Sequence, residues 1–200
     1  MTLVPGAIAR QDITLGLLAG GRATRLGGRD KAWLTRDGEA QVLRLARCFA
    51  PVVTGVLVSA NRDLPRYAAA GLEAAADRVA DAGPLGGLDA LARACATRWL
   101  FTAPVDLVEA DPCLLDALAR GATGQGACAR DEDGPQPLLA LWPVAALRDA
   151  AGVALGEGRL AVQALQRQLD MPVVHFAGVR LGNLNTPAAQ RAAGMENEAA

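Results

Sequence analysis

Ile13-Thr14-Leu15-Gly16-Leu17-Leu18-Ala19-Gly20-Gly21-Arg22-Ala23-Thr24-Arg25-Leu26-Gly27-Gly28-Arg29-Asp30-Lys31 is the stretch on which this chain turns. Its first part, Ile13 to Leu18, is a short apolar run that reads as a buried strand. Glycines and fixed positive charges follow directly, ending in Lys31, which is the only lysine of the chain against 19 arginines. A strand, then glycines, then cations is a physical recipe for holding phosphates. Glycine lets backbone N–H groups turn inward and approach an anion closely. The cations neutralise what those N–H groups hold.

Working outward, the composition bounds the rest. Two hundred residues, 52% hydrophobic and 20% charged, describe one globular domain with a substantial core and exclude disorder. A net charge of −1 advertises no basic surface for nucleic acid, and 4% aromatics provide no base-stacking platform. No segment approaches the roughly 18–20 consecutive apolar residues of a membrane span. Residues 1–11 lack the basic start and apolar centre of a signal peptide and read as a short tail. A cytoplasmic chain is expected, with neither membrane nor nucleic acid as partner. Cys48, Cys95, Cys113 and Cys128 are widely spaced and read as buried small apolar residues in a reducing compartment. Ser59 and His175 are each the single residue of their type. Ser59 lacks the G-x-S-x-G context, so a hydrolytic triad is excluded.

Apolar runs alternate with helical patterns along the first half. Ile13–Ala19, Val52–Ser59 and Trp99–Ala103 read as strands. Gln41–Phe49, Pro84–Thr97 and a helix opened by Asp111-Pro112 and ending at Arg120 read as helices. This β-α-β-α-β-α order predicts a single α/β, Rossmann-like three-layer domain with a mostly parallel sheet, over residues 12–194. In the second half, Ala127–Arg130 and Pro137–Trp142 read as paired strands, Leu160–Leu169 as a helix and Val173–Phe176 as a strand with His175 in it. Thr186-Pro187 caps a last helix, and residues 195–200 form a tail in which Glu196–Ala200 fray. Trp33, Trp99 and Trp142 read as core. Ligands on such sheets bind beyond the carboxyl ends of the strands, where the glycine loop, Asn61 and Asp106 all fall.

The two common phosphate loops fail. The glycine spacing does not fit G-x-G-x-x-G, and Lys31 follows Asp30 and precedes Ala32 where a Walker loop needs Gly and Ser or Thr. What fits is the nucleotidyltransferase pattern L-A-G-G-x-x-x-R-[ML]-G-x-x-K. Within that superfamily the chain resembles the molybdenum cofactor guanylyltransferases. The resemblance continues through Ser59-Ala60-Asn61-Arg62, Asp77 ahead of Gly83-Pro84-Leu85-Gly86-Gly87, Pro104-Val105-Asp106, Gln136-Pro137 and Asn183-Leu184-Asn185-Thr186-Pro187. Where the family usually has P-C-D-x-P, this chain has Pro104-Val105-Asp106-Leu107-Val108. An acidic turn, Asp131-Glu132-Asp133, precedes Gln136-Pro137 and is awkward beside an anionic ligand.

The resemblance implies a fold of nucleotidyltransferase type and transfer of GMP from GTP to the terminal phosphate of molybdopterin, with pyrophosphate leaving and Mg²⁺ as cofactor. It implies a donor site in the N-terminal half and an acceptor site in the C-terminal half. Nucleotide contacts would fall on Leu18, Ala19, Gly20, Gly21, Lys31, Asn61, Asp77 and Asp106, with Asp106 holding the metal. Lys31, Asp106, Arg25 and Arg22 would act on the transferring phosphates. Gln136, Pro137, Asn183 and Asn185 would meet the acceptor. Other molybdenum cofactor biosynthesis proteins and target-enzyme chaperones are the implied protein partners. Cytidylyl transfer to the same acceptor uses the same loop, although the Gly20-Gly21 pair matches the guanylyl branch. A non-catalytic nucleotide or cofactor carrier is the reading of a different class.

Overall fold

The computed structural model describes residues 8–19, 30–182, 184 and 187–196. The chain opens with β1 (Ile13–Leu18), a 3-10 turn at Lys31–Trp33, a small ribbon of β2 (Thr35–Arg36) and β3 (Glu39–Ala40), and α1 (Gln41–Phe49). Then come β4 (Gly55–Ser59), α2 (Leu64–Ala69), β5 (Glu73–Ala75), α3 (Pro84–Ala94), β6 (Trp99–Pro104) and α4 (Cys113–Gly121). The second half holds β7 (Ala127–Asp131), β8 (Gly134–Pro143), α5 (Val144–Gly156), α6 (Val162–Gln168), β9 (Val173–His175) and α7 (Pro187–Ala192).

Every residue of β1 is buried, so both faces of the sheet around it must be covered. It lies in a seven-stranded sheet of order β5-β4-β1-β6-β8-β7-β9. β4 and β6 both run parallel to β1, and Leu18 is level with Ser59 on one side and Pro104 on the other. Three carboxyl-terminal strand ends therefore stand side by side, which is what makes this edge a site. β8 enters antiparallel between β6 and β7, and β9 runs parallel to β7 at the outer edge. The mostly parallel α/β sheet expected from the element order is thus present, extended by an antiparallel hairpin.

Two apolar clusters cover the sheet. One joins Leu15, Leu17, Leu45, Phe49, Tyr67, Phe101 and Leu115, with the Phe49 and Phe101 rings edge to face at 5.0 Å. The other joins Leu57, Leu88, Leu91, Leu100, Trp142 and Leu147. Trp142 is fully buried, and its indole N–H donates to Thr102 Oγ1 at 2.9 Å, so the ring carries no orphaned donor. All three tryptophans are core residues.

Some local expectations need correction. The longest helix, α5, has no counterpart in the sequence reading: it starts directly after Pro143 at the end of β8, with no loop between them to announce it. α2 and β5 are too short to carry a period. The cap expected at Asp111-Pro112 is present: Asp111 Oδ1 accepts the Cys113 N–H at 2.7 Å and Pro112 already has helical φ and ψ, ahead of α4. Cys95 and Cys128 are buried and Cys48 is half-buried, but Cys113 is exposed at the start of that helix. Glu196, placed in the fraying tail, exchanges two backbone hydrogen bonds with Thr35. Arg10, placed in the N-terminal tail, donates to the Val53 and Ala50 carbonyls, each at 2.9 Å. No described helix is long and apolar enough to cross a membrane.

Candidate active site at the parallel strand ends

Lys31 is held by its predecessor. Asp30 caps the 3-10 turn, its Oδ1 accepting the Ala32 N–H at 2.9 Å, while its Oδ2 accepts the Tyr67 hydroxyl at 3.3 Å. Burial, together with the Asp30 charge beside it, raises the Tyr67 phenol above its ordinary range, so it stays a donor. Trp33 lies against Tyr67 with ring centroids 5.0 Å apart, and the Arg66 guanidinium sits 3.9 Å from the Trp33 ring centre. On this braced turn the Lys31 ammonium donates to Asp106 Oδ2 at 3.1 Å. Both side chains are about one-fifth exposed (23% and 21%), so the pair faces the open edge.

The loop carrying Asp106 is fixed from three directions. Val105 N–H donates to the Leu18 carbonyl at 3.1 Å, continuing the β1–β6 ladder past the strand end. Gln41, fully buried at the start of α1, donates from Nε2 to the Leu107 carbonyl at 2.8 Å. Arg44 reaches the Leu107 and Val108 carbonyls at 3.2 and 3.1 Å. From the far end of the chain, the Leu184 N–H donates to the Asp106 carbonyl at 3.2 Å. Val105, which stands where the family's pattern has cysteine, and Leu107 on the other side of Asp106 are both buried in the core. They turn inward while the carboxylate between them stays accessible.

A second polar pair follows β4. Asn61 Nδ2 donates to Asp77 Oδ2 at 2.9 Å, and the Asp77 N–H donates back to Asn61 Oδ1 at 2.8 Å. Among the described residues, Asp77 Oδ1 receives only a long 3.4 Å contact from the Ser59 hydroxyl. Helix α3 comes close enough to this pair that the two positions of its first turn facing it have no room for a side chain. A Cβ at Gly86 would lie 2.9 Å from Asp77 Oδ2, and one at Gly87 would lie 2.5 Å from Ser59 Oγ. The glycine pair of the G-P-L-x-G pattern is there for approach, beneath the Asn61–Asp77 bridge.

The remaining expectations sort as follows. Ala19 N–H is committed to the Ser59 carbonyl at 3.0 Å, and the Leu18 side chain is buried, so their amides and side chains serve the sheet. The β6–β8 register, with Thr102 opposite Ala140, carries the start of β8 past the end of β6, so Gln136 and Pro137 lie on the same edge as Asp106. Both are already engaged: Gln136 Nε2 donates to Asp131 Oδ1 at 3.0 Å, and the Pro137 carbonyl accepts from Gln166 at 2.8 Å. The acidic turn is not a bare cluster of charge. Asp131 is buried, Glu132 Oε1 accepts the Gly178 N–H at 2.7 Å, and Asp133 pairs with Arg180 at 2.6 Å. Gly20, Gly21, Arg22, Arg25, Asn183 and Asn185 lie outside the described residues. Sequence reasoning missed Asp30, Gln41, Arg44 and Tyr67. Only Asp30, an N-cap residue type just before Lys31, left a signal. A cavity of about 560 Å³ lies elsewhere, between α6 and β7–β9, lined by Arg130, Gln163 and Arg167 among others, and holds none of the expected nucleotide contacts.

A doubly covered parallel sheet with a lysine–carboxylate pair and an asparagine–aspartate pair at its carboxyl edge is the architecture of a nucleotidyltransferase. The fold matches a nucleotidyl transferase from Methanothermobacter with a TM-score of 0.71 at 17% identity, over 91% of this chain and 95% of that one. It also matches the molybdopterin-guanine dinucleotide biosynthesis protein A from Archaeoglobus fulgidus with a TM-score of 0.68 at 18% identity, over 90% and 96% of the two chains. Residues 16–172 match the MobA-like NTP transferase domain. A molybdenum cofactor guanylyltransferase from Cupriavidus necator is 38% identical over 161 residues, which is 76% of this chain and 81% of that protein. The chain belongs to the molybdenum cofactor guanylyltransferases, within the MobA-like NTP transferase family.

Proposed function

We propose that this protein transfers GMP from GTP to the terminal phosphate of molybdopterin, releasing pyrophosphate. The observation that carries the reading is the Lys31–Asp106 pair at 3.1 Å on the shared edge of β1 and β6, in a chain of this family. The acceptor phosphate is a monoester with a second pKa near ~6, mostly ionised at neutral pH, so the attack calls for no general base. The work left to the protein is to hold two polyanions in line and mask their repulsion.

In this reading Lys31 leaves Asp106 for the triphosphate when the nucleotide arrives and stabilises the charge growing on pyrophosphate. Gly20 and Gly21 give backbone N–H groups to the same phosphates, and Arg22 and Arg25 serve the leaving group. Asp106 is the residue that would hold Mg²⁺. Its Oδ1 has no protein partner among the described residues, and no described group of three His, Cys, Asp or Glu competes with it. A single carboxylate suits Mg²⁺, which takes one or two carboxylates and fills its other positions with phosphate oxygens and water. Bound there, the ion supplies charge neutralisation on the phosphates. Gln136, Pro137, Asn183 and Asn185 would bind the acceptor.

Base choice falls to Asp77. Its weakly engaged Oδ1 is free to accept from guanine N1–H or the 2-amino group, and adenine presents no such donor pair. Pyrophosphate release in the presence of molybdopterin, measured across GTP, CTP and ATP, tests the reading. GTP is expected to lead, and preference for CTP overturns the guanylyl assignment. Asp77→Ala should narrow the GTP-over-ATP ratio by about tenfold or more, the worth of a lost charge-assisted hydrogen bond. An unchanged ratio removes Asp77 from base recognition.

A further inference from the structure

Asp131 has no counterpart in the reaction just described, yet it is the most fully engaged carboxylate of the second half. It is 1% exposed at the end of β7. Its Oδ1 accepts from Gln136 Nε2 and from the Asp133 N–H, both at 3.0 Å, and its Oδ2 accepts the Leu181 N–H at 3.0 Å. Burial acts to raise its pKa, but the hydrogen bonds from Gln136, Leu181, Asp133 and Gly134 outweigh that and hold it below the ordinary range.

The Leu181 bond matters because of what the same segment does next. The Leu181 carbonyl accepts the Glu109 N–H at 3.0 Å, and the Leu184 N–H donates to the Asp106 carbonyl at 3.2 Å. Leu181 and Leu184 are both buried. Between them Gly182 has φ of +65°, and a Cβ there would lie 3.2 Å from Val108 Cβ. Leu181, Gly182 and Leu184 are thus clamped between Asp131 on one side and the Asp106–Glu109 loop on the other.

We propose that Asp131 is a positioning residue: through Leu181 and Leu184 it sets the backbone of Asp106, and through Gln136 it ties that setting to the acceptor side of the site. The proposal rests on the reading of Asp106 as the Mg²⁺ ligand. It places control of the metal carboxylate in a residue from the other half of the chain that touches neither metal nor nucleotide. Asn at position 131 keeps the shape but puts an amide N–H₂ where Leu181 or Gln136 already brings a donor, so one clamp bond is lost. Ala at position 182 attacks the same clamp from its other end. It places a side chain against Val108 in a left-handed conformation that Ala adopts poorly.

The test uses Mn²⁺ as the probe, its binding to the GTP complex followed by electron paramagnetic resonance in the full-length protein. Asp131→Asn and Gly182→Ala should each raise the Mn²⁺ half-saturation at least fivefold and lower kcat by a similar factor. The KM for GTP should stay within twofold, and amide exchange should quicken at Glu109 and Leu184 but not in β1. Asp133→Ala, which breaks only the exposed pair with Arg180, should leave all of these at the wild-type level. Wild-type Mn²⁺ affinity in a folded Asp131→Asn protein overturns the proposal. If that variant does not fold, wild-type affinity in Gly182→Ala overturns it. Asp106→Asn is run alongside: Mn²⁺ affinity unchanged by that substitution refutes Asp106 as the ligand, a failure of the underlying reading that is separate from a failure of the clamp.

Discussion

Asp106 and Asp131 end neighbouring parts of the same sheet edge, and they are opposites. Asp106 follows a parallel strand, is about one-fifth exposed, and spends one oxygen on one lysine. Asp131 ends β7, one strand in from the edge strand β9, is buried, and has donors on both oxygens. A carboxylate with acceptor capacity to spare can take a new ligand without breaking what holds it. One that is saturated by backbone N–H groups cannot, and its removal would leave those donors orphaned. Around each, the chain follows suit. The first half brings Lys31 with Asp106, and Asn61 with Asp77, to the strand ends as two side-chain pairs at the open edge. The second half ties Gln136, Glu132 and Asp133 into its own backbone and side chains.

The strongest way to break this comparison is to remove the open pair. Lys31→Ala should cut GMP transfer by about 100- to 1,000-fold, the cost of losing one fixed donor to a developing oxyanion. Circular dichroism and the thermal midpoint should stay near wild type, because the pair opens to solvent at the sheet edge and the Asp106 carboxylate can hydrate once the lysine is gone. Near-normal turnover in the purified variant would take the catalytic role from Lys31. A collapsed fold with proportionate loss of activity would make the pair architecture after all.

That division also governs what the chain disclosed before folding. The parallel half was legible because its signals are local. Ile13–Leu18 is an uninterrupted apolar run, glycines follow it, and Gly83-Pro84 announces α3. Lys31 and Asp106 could be named because each sits just past a strand in a recognisable pattern. Their braces could not. Tyr67, Gln41 and Arg44 act on residues 37 to 66 positions away, through bonds that no spacing encodes. The acidic turn was misread for the same reason. Asp131-Glu132-Asp133 looks like crowded negative charge until Leu181, Gly178 and Arg180 arrive from the other end of the chain. Helix α5 stayed hidden because strand and helix abut at Pro143 without a turn.

A third carboxylate sharpens the contrast from within the donor half. Asp89 on α3 is fully buried and receives Arg78 Nε at 2.9 Å and Arg93 Nε at 3.0 Å. It resembles Asp131 in burial, but its donors are side chains roughly half exposed, at 53% and 40%, and these can rehydrate once it is gone. Asp89→Ala should therefore cost about 1–3 kcal/mol in denaturant unfolding while leaving the KM for GTP close to wild type. Loss of GTP affinity without loss of stability would move Asp89 from the fold to the site.

The smallest expected effect is the pH signature that marks Asp131 as a saturated carboxylate. Its pKa in the folded protein lies below the ordinary aspartate value of 3.8, because hydrogen bonds to the charged form outweigh burial. A depressed folded value means the unfolded chain binds the proton more readily. The carboxylate's contribution to stability is then fully present above pH 3.8 and drains away as pH falls through the lower folded value. Asn at the same position does not titrate. Urea unfolding of wild type and Asp131→Asn, compared from neutral pH down to the acid limit of folding, should show a constant gap at the upper end that narrows only below the ordinary aspartate range. A gap that instead widens as pH falls from neutral would mean that the folded value is raised, that burial dominates, and that the N–H groups around Asp131 do not hold a charge. The clamp on Leu181, Gly182 and Leu184 would then lose its electrostatic basis, and the two ends of the sheet edge would differ in exposure alone.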